Sequence, residues 1–195
     1  GLLLAGPAGV GKSQIAYAVA RILALPWTSL DMSTISDPEA LTGSPRVYAN
    51  AKPGRIMEAF SQAQASNLVF IINELDKAEA GGGSNPADAL LTLLDNLGFT
   101  DNYMECTIPT TGVYPIATAN DKSKISDPLM TRFALIDIPD YSFDEKRIIF
   151  RDYSLPKVLE RMAMTREELT ITSEALDRVI EVYAKMPGVR DLEQA

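Results

Sequence analysis

The residues Gly6-Pro7-Ala8-Gly9-Val10-Gly11-Lys12-Ser13 fit the spacing G-x-x-x-x-G-K-[ST], and each fixed position in it has a chemical use. Glycines let successive backbone N–H groups curl around phosphate oxygens. Lys12 brings a mobile ammonium to the outer phosphates, and the Ser13 hydroxyl is a ligand for Mg²⁺. The N-terminus of a following helix adds partial positive charge. ATP with Mg²⁺ is therefore the expected occupant. An ordinary glycine-rich turn would not need the flanking elements found here. Residues 2–5 read as a buried strand before the loop, and residues 14–24 as a helix behind it with Ile15, Val19, Ile22 and Leu23 turned inward.

A second group with chemical potential is Asn73-Glu74-Leu75-Asp76-Lys77. It follows residues 68–72, whose continuous apolarity marks a strand covered on both faces, and doubly wound sheets hold ligands at the carboxyl ends of such strands. In P-loop nucleoside triphosphatases an acidic pair at this place serves the metal and the attacking water. Glu74 is thus the candidate for polarising water, and Asn73 occupies the metal side. Its amide oxygen can accept from metal-bound water but brings no charge; one lost charge at about 4 Å is worth at most ~4 kcal/mol at an effective dielectric near 20. Asn120 ends the apolar stretch 113–119, where its amide could orient water near a γ-phosphate or simply form the turn. Arg132 offers a planar, permanent cation to its own subunit or to a neighbour's nucleotide.

These groups need a sheet to bring them together. Residues 2–5, 27–30, 68–72, 113–119 and 134–138 read as its strands. Between them the pattern predicts a capped helix over 37–41, a Gly/Pro-punctuated loop over 43–54 carrying Tyr48, helices over 54–65 and 86–95, a β-excursion over 103–109 and a short helix over 126–132. Gly81-Gly82-Gly83 predict a surface loop within residues 80–84. After Pro139 the pattern is helical, over 144–153, 157–162 and 173–185, with another start after Gly188. The expected fold is α/β: a P-loop nucleotide-binding unit over 1–139 with a five-stranded parallel sheet flanked by helices, then a partial all-helical lid over 140–195. The chain opens inside a strand and closes inside a helix, so it reads as a fragment of something longer.

With 195 residues, 46% hydrophobic and 23% charged, the chain has the make-up of an ordinary globular protein. A net charge of −8 repels phosphate backbones and disfavours a general nucleic-acid surface. The absence of His and the single Cys106 exclude His-based triads, a zinc site and an internal disulfide. Cys106 is expected to be a small buried hydrophobe. No apolar run approaches the roughly 20 residues needed to cross a bilayer, and a reducing cytoplasmic or organelle-matrix location fits best.

In order, the pieces resemble the AAA+ ATPase module of Lon-type ATP-dependent proteases along nearly the whole chain. Beyond the phosphate loop, the similar wording is RVYANAKPGRI at 46–56, NELDK at 73–77, FTDNY at 99–103, ATAN at 117–120, LMTRF at 129–133 and GVRDLE at 188–193. The resemblance implies that Asn120 is sensor 1, Arg132 an arginine finger acting in trans, and Arg190 the sensor 2 arginine of the lid. It implies that Tyr48 and Ala49 lie on a pore loop gripping unfolded or damaged polypeptide in a hexameric ring. Two positions depart from the family pattern: Asn73 replaces its metal-side aspartate, and Ala49-Asn50 replace the aliphatic and glycine that follow the tyrosine. A nucleotide switch or scaffold with weak hydrolysis is the alternative that Asn73 raises, and a DNA-directed motor is a third reading. The Ser-Lys peptidase part of such a protease lies outside these residues.

Overall fold

The computed structural model describes residues 1–78, 86–183 and 187–189. Contacts group the chain into two compact units, residues 1–5 with 12–137 and residues 6–11 with 138–195.

The first unit is built on a five-stranded sheet of β1 (Leu2–Ala5), β2 (Trp27–Asp31), β3 (Leu68–Asn73), β6 (Val113–Ala119) and β7 (Ala134–Asp137). Its strand order is β2-β3-β6-β1-β7, and every pairing is parallel. Interior strand β3 is fully buried from Leu68 to Ile72, which explains its unbroken apolar run, whereas edge strand β7 is exposed along its length. Ala5 is in register with Ala119 on one side and Asp137 on the other, and Ile72 with Ala117. The carboxyl ends of β1, β3 and β6 therefore open on the same edge.

Helices α1 (Lys12–Ile22), α2 (Pro38–Thr42), α3 (Arg55–Ala63), α4 (Leu91–Leu94) and α5 (Asp127–Met130) complete this unit. Asp37 caps α2 by accepting the Glu39 N–H at 2.8 Å. Ile56, Ala59 and Phe60 fix α3 in the core, with Met57 only half buried. The inward face of α1 is a correction: Lys12, Ala16 and Ala20 are buried, while Ile22 is 81% exposed and Ile15 and Leu23 also face out. Small side chains let this helix lie close to the sheet, and the larger aliphatics fall on its flanks. Residues 86–95 also differ from one continuous helix, because Pro86–Leu90 form a 3₁₀ turn before α4 begins. The glycine loop expected over 80–84 lies outside the described residues.

The β-excursion is an antiparallel pair of β4 (Phe99–Asp101) and β5 (Cys106–Ile108). It overturns the burial expected for Cys106, which is exposed. Cys106 stands opposite buried Asp101 at the turn end of the ribbon, and a two-stranded ribbon has too little surface around it to cover that end.

In the second unit, α6 (Phe143–Ile149) opens with a reciprocal capping box between Ser142 and Glu145. A π-helical turn, Phe150–Ser154, leads into α7 (Leu155–Arg161). Pro156 has no N–H for the carbonyl of Asp152, and the backbone widens one turn before it. With α8 (Ser173–Tyr183), these elements bury Phe150, Leu176 and Ile180 against Leu155, Ile171 and Val189. The end of the helix expected over 173–185, and the start expected after Gly188, lie outside the described residues.

Candidate active site

At the carboxyl edge of the sheet, the first residues of α1 meet the ends of β3 and β6. Lys12 Nζ donates to Asn120 Oδ1 at 2.9 Å, and Ser13 Oγ donates to Asn73 Oδ1 at 2.9 Å. Four of the residues singled out by type and spacing are thus in direct contact through side chains 60 and 108 positions apart. Their positions follow from the parallel register, since β1 delivers α1 beside β6 while β3 flanks β6 on the other side.

Glu74 stands immediately past β3 with φ 55° and ψ 46°, a left-handed conformation uncommon for a residue with a side chain. Its N–H donates to Thr118 Oγ1 at 3.2 Å, and its carbonyl accepts the Lys77 N–H at 2.9 Å. This turn takes the carboxylate out of the strand's alternation, as expected where backbone strain serves a site. Thr118 and Asp76 were not singled out as positioning groups by the sequence. Asp76 is buried and accepts the N–H of Asn120 at 3.1 Å and of Asp121 at 3.2 Å, so one carboxylate holds the end of β6 in place. A second carboxylate three residues past a buried strand is the signal that could have marked it.

Residues 6–11 join β1 to α1, and their contacts belong to the second unit. Gly9 and Gly11 have φ of 80° and 83°, the left-handed values that let consecutive N–H groups converge. Tyr141 Oη donates to the Val10 carbonyl at 2.7 Å. Burial, then the carboxylates of Glu145 and Asp140, push the Tyr141 phenol above its ordinary value, which keeps it a donor. Gly188 lies against Ala8 and Gly9 at φ 80°, and its N–H donates to Asp140 Oδ1 at 2.8 Å. Burial raises the Asp140 carboxyl, but the Gly188 N–H, the Lys146 ammonium and the Tyr141 N–H together hold it below its ordinary value.

Within the first unit, the Lys12 ammonium at the start of an 11-residue helix suits a phosphate group. No group of three His, Cys, Asp or Glu side chains suited to a metal occurs among the described residues. Ser13 Oγ and Asn73 Oδ1 are two oxygens, as suits Mg²⁺, which takes its remaining ligands from phosphates and water.

The other predicted residues lie elsewhere. Arg132 is held by its own subunit: Nε and Nη2 donate to the two carboxylate oxygens of Asp95 at 2.6 and 2.8 Å, and Nη1 to the Pro128 carbonyl. The hydrogen bond from Arg132 holds the Asp95 carboxyl below its ordinary range. Tyr48 is 62% exposed on the 43–54 loop, with Ala49 and Asn50 exposed beside it. Arg190 lies outside the described residues.

A family model for the ATPase family associated with various cellular activities (AAA) matches residues 2–139. The chain belongs to that family. As an AAA ATPase it is a nucleotide-binding protein. It is 38% identical to a Lon protease of Salinispora arenicola over 197 residues, covering 100% of this chain and 25% of that protein. It is 36% identical to Lon protease 1 of Bdellovibrio bacteriovorus, with 99% and 25% covered, and 37% identical to a Lon protease of Methanosarcina barkeri, with 99% and 24% covered. The chain spans about a quarter of the length of these curated relatives. This AAA ATPase is thus similar along its whole length to a segment of Lon-type proteases. Among the described residues, no helix is long and apolar enough to cross a membrane.

Proposed function

We propose that the chain is the ATP-hydrolysing motor of a Lon-like ATP-dependent serine protease, working in a hexameric ring that unfolds protein substrates and threads them to a peptidase domain outside these residues. In this role Gly6–Ser13 hold the phosphates, and Ser13 with Asn73 hold Mg²⁺. The ion supplies charge screening on the transferring phosphoryl group. Lys12 withdraws charge from the outer phosphates, Glu74 polarises the attacking water and Asn120 positions it. Arg132 of a neighbouring subunit stabilises charge on the departing phosphate, and Arg190 reports nucleotide state from the lid. Domain limits of 1–139 and 140–195 assign catalysis to the first part and the lid to the second. The acidic net charge favours polypeptide over nucleic acid as the cargo.

The observation that carries this proposal is the joining of Lys12 to Asn120 and of Ser13 to Asn73 at one edge of the sheet. Exposed Tyr48, on a loop closed by the Ser44 N–H to the Lys52 carbonyl at 3.1 Å, supports the gripping role. An aromatic ring grips many sequences through apolar contact, as a sequence-tolerant translocator requires. In the intact protein, an unfolded polypeptide is expected to stimulate Mg²⁺-ATP turnover, with Tyr48→Ala removing the stimulation. Turnover indifferent to unfolded polypeptide would overturn the threading role.

Asn73 favours a second reading, a nucleotide-dependent switch with weak hydrolysis. The residue touching Ser13 is a neutral amide where a metal-side carboxylate would place a full charge.

A further inference from the structure

The FTDNY segment at 99–103 has no part in the chemistry above, yet it contains a carboxylate with 0% exposure. Asp101 accepts the N–H groups of Tyr103 and Met104 on Oδ1, each at 2.9 Å, and the Gly54 N–H on Oδ2 at 2.8 Å. The first two bonds shape the turn between β4 and β5; the third fastens that turn to the end of the Tyr48 loop. Asn102 adds a second tie, its backbone N–H donating to the Thr42 carbonyl at 2.8 Å and its amide to the Gly43 carbonyl at 3.0 Å. Arg46, two residues before Tyr48, makes the third: Nε donates to the Tyr103 carbonyl, and the guanidinium lies 5.0 Å above the Tyr103 ring. Both ends of the Tyr48 loop and its approach to Tyr48 are therefore tied to one turn.

We propose that Asp101 is a positioning residue for polypeptide gripping: it locks the Tyr48 loop to the β4–β5 turn, so that the loop presents Tyr48 in one fixed attitude and passes force to the sheet as a rigid tongue. This rests on the role given to Tyr48 above. A loop without these ties would let the ring swing away from an extended chain, and each contact would cost the ordering of the loop as well. A buried, fully bonded carboxylate supplies rigidity that an exposed polar contact would not.

The chemistry singles out Asp101→Asn. An asparagine keeps one acceptor oxygen for the turn but sets an NH₂ group against the Gly54 N–H, so this tie to the Tyr48 loop breaks while the turn and the ties from Asn102 and Arg46 remain. Spin labels on native Cys106 and on Asn50→Cys, in labelled subunits diluted into unlabelled protein, read the link by pulsed distance measurement. Wild type is expected to give one narrow distribution, and Asp101→Asn one about twice as wide. Casein, an unstructured polypeptide, reads the consequence. Its concentration for half-maximal stimulation of ATP turnover should rise about tenfold, while the turnover reached at saturation holds within about twofold; a general folding defect would instead lower the turnover at saturation and leave the half-maximal concentration in place. Arg46→Ala, an exposed substitution that leaves the core intact, should shift both measurements in the same direction by less. An unchanged distance distribution in Asp101→Asn overturns the lock, and a widened one with unchanged casein dependence overturns the positioning role. Tyr48→Ala separates the two failures. If it leaves the casein dependence unaltered, the gripping assignment of Tyr48 falls first and takes this role with it.

Discussion

Lys12 Nζ and Asn120 Oδ1 are 2.9 Å apart. The bond joins the lysine of the G-x-x-x-x-G-K-S stretch to the first residue after β6, and it places the amide beside the cation proposed to meet the outer phosphates. Asn120→Ala should therefore leave nucleotide affinity within a few-fold of wild type and lower kcat about 10²-fold, the order of one lost oriented donor or acceptor. Steady-state kinetics with a separate nucleotide titration check this.

Asn73 accepts from Ser13 without contributing charge. Asn73→Asp is expected to lower the Mg²⁺ concentration for half-maximal turnover about tenfold, well inside the ~4 kcal/mol ceiling for one charge at about 4 Å, because the phosphates already hold most of the ion's charge. A Mg²⁺ titration at fixed ATP measures it. An unchanged Mg²⁺ requirement would show that the amide costs the site nothing, and would remove the ground for the weak-hydrolysis reading.

Arg132 must exchange Asp95 for a neighbour's nucleotide if it acts in trans. Subunits carrying Arg132→Ala and subunits carrying Glu74→Gln should each be inactive alone, with turnover lowered about 10³-fold or more. Mixed rings should recover activity, since one variant keeps the carboxylate and the other the finger. Recovery absent at every mixing ratio contradicts action in trans.

Within the second unit, Gly188 packs on Gly9, the Val189 N–H donates to the Gly9 carbonyl at 3.3 Å, and the Gly188 N–H is held by Asp140. A methyl group at 188 would meet the Gly9 backbone at a φ that side chains avoid, so Gly188→Ala should weaken nucleotide binding and cost at least about 1 kcal/mol in stability. The pH sign follows from Asp140, whose folded-state carboxyl sits below its ordinary value. Its contribution is present above about pH 4 and is lost as pH falls through the lowered value. Amide exchange at Gly188 across an acid titration checks this; loosening that began near neutrality would contradict it.

Much of this was legible in the sequence because the relevant residues leave little choice. The run Leu68–Ile72 is too short and too apolar to be anything but a buried strand, and the G-x-x-x-x-G-K-S spacing joins a strand to a helix. Asp37-Pro38 and Ser142-x-x-Glu145 announce their helix starts through capping chemistry. The inward face of α1 was not legible, because periodicity weighs side chains by size while close approach to a sheet selects Ala16 and Ala20. Cys106 was misjudged for a related reason: burial depends on what a two-stranded ribbon packs against, which its own residues do not record. Asp76 and Asp101 look like surface charges in a sequence. Their backbone N–H partners are brought to them by tertiary structure, at Asn120 and Asp121 for one and at Gly54 for the other.

The most direct test of the central claim is a side-by-side ATP titration of Lys12→Ala and Glu74→Gln in the assembled protein. If one sheet edge both holds and cleaves the triphosphate, Glu74→Gln should bind ATP with wild-type affinity and fail to hydrolyse it, while Lys12→Ala should lose the affinity itself. Wild-type turnover by Glu74→Gln, or wild-type ATP affinity in Lys12→Ala, would contradict that site.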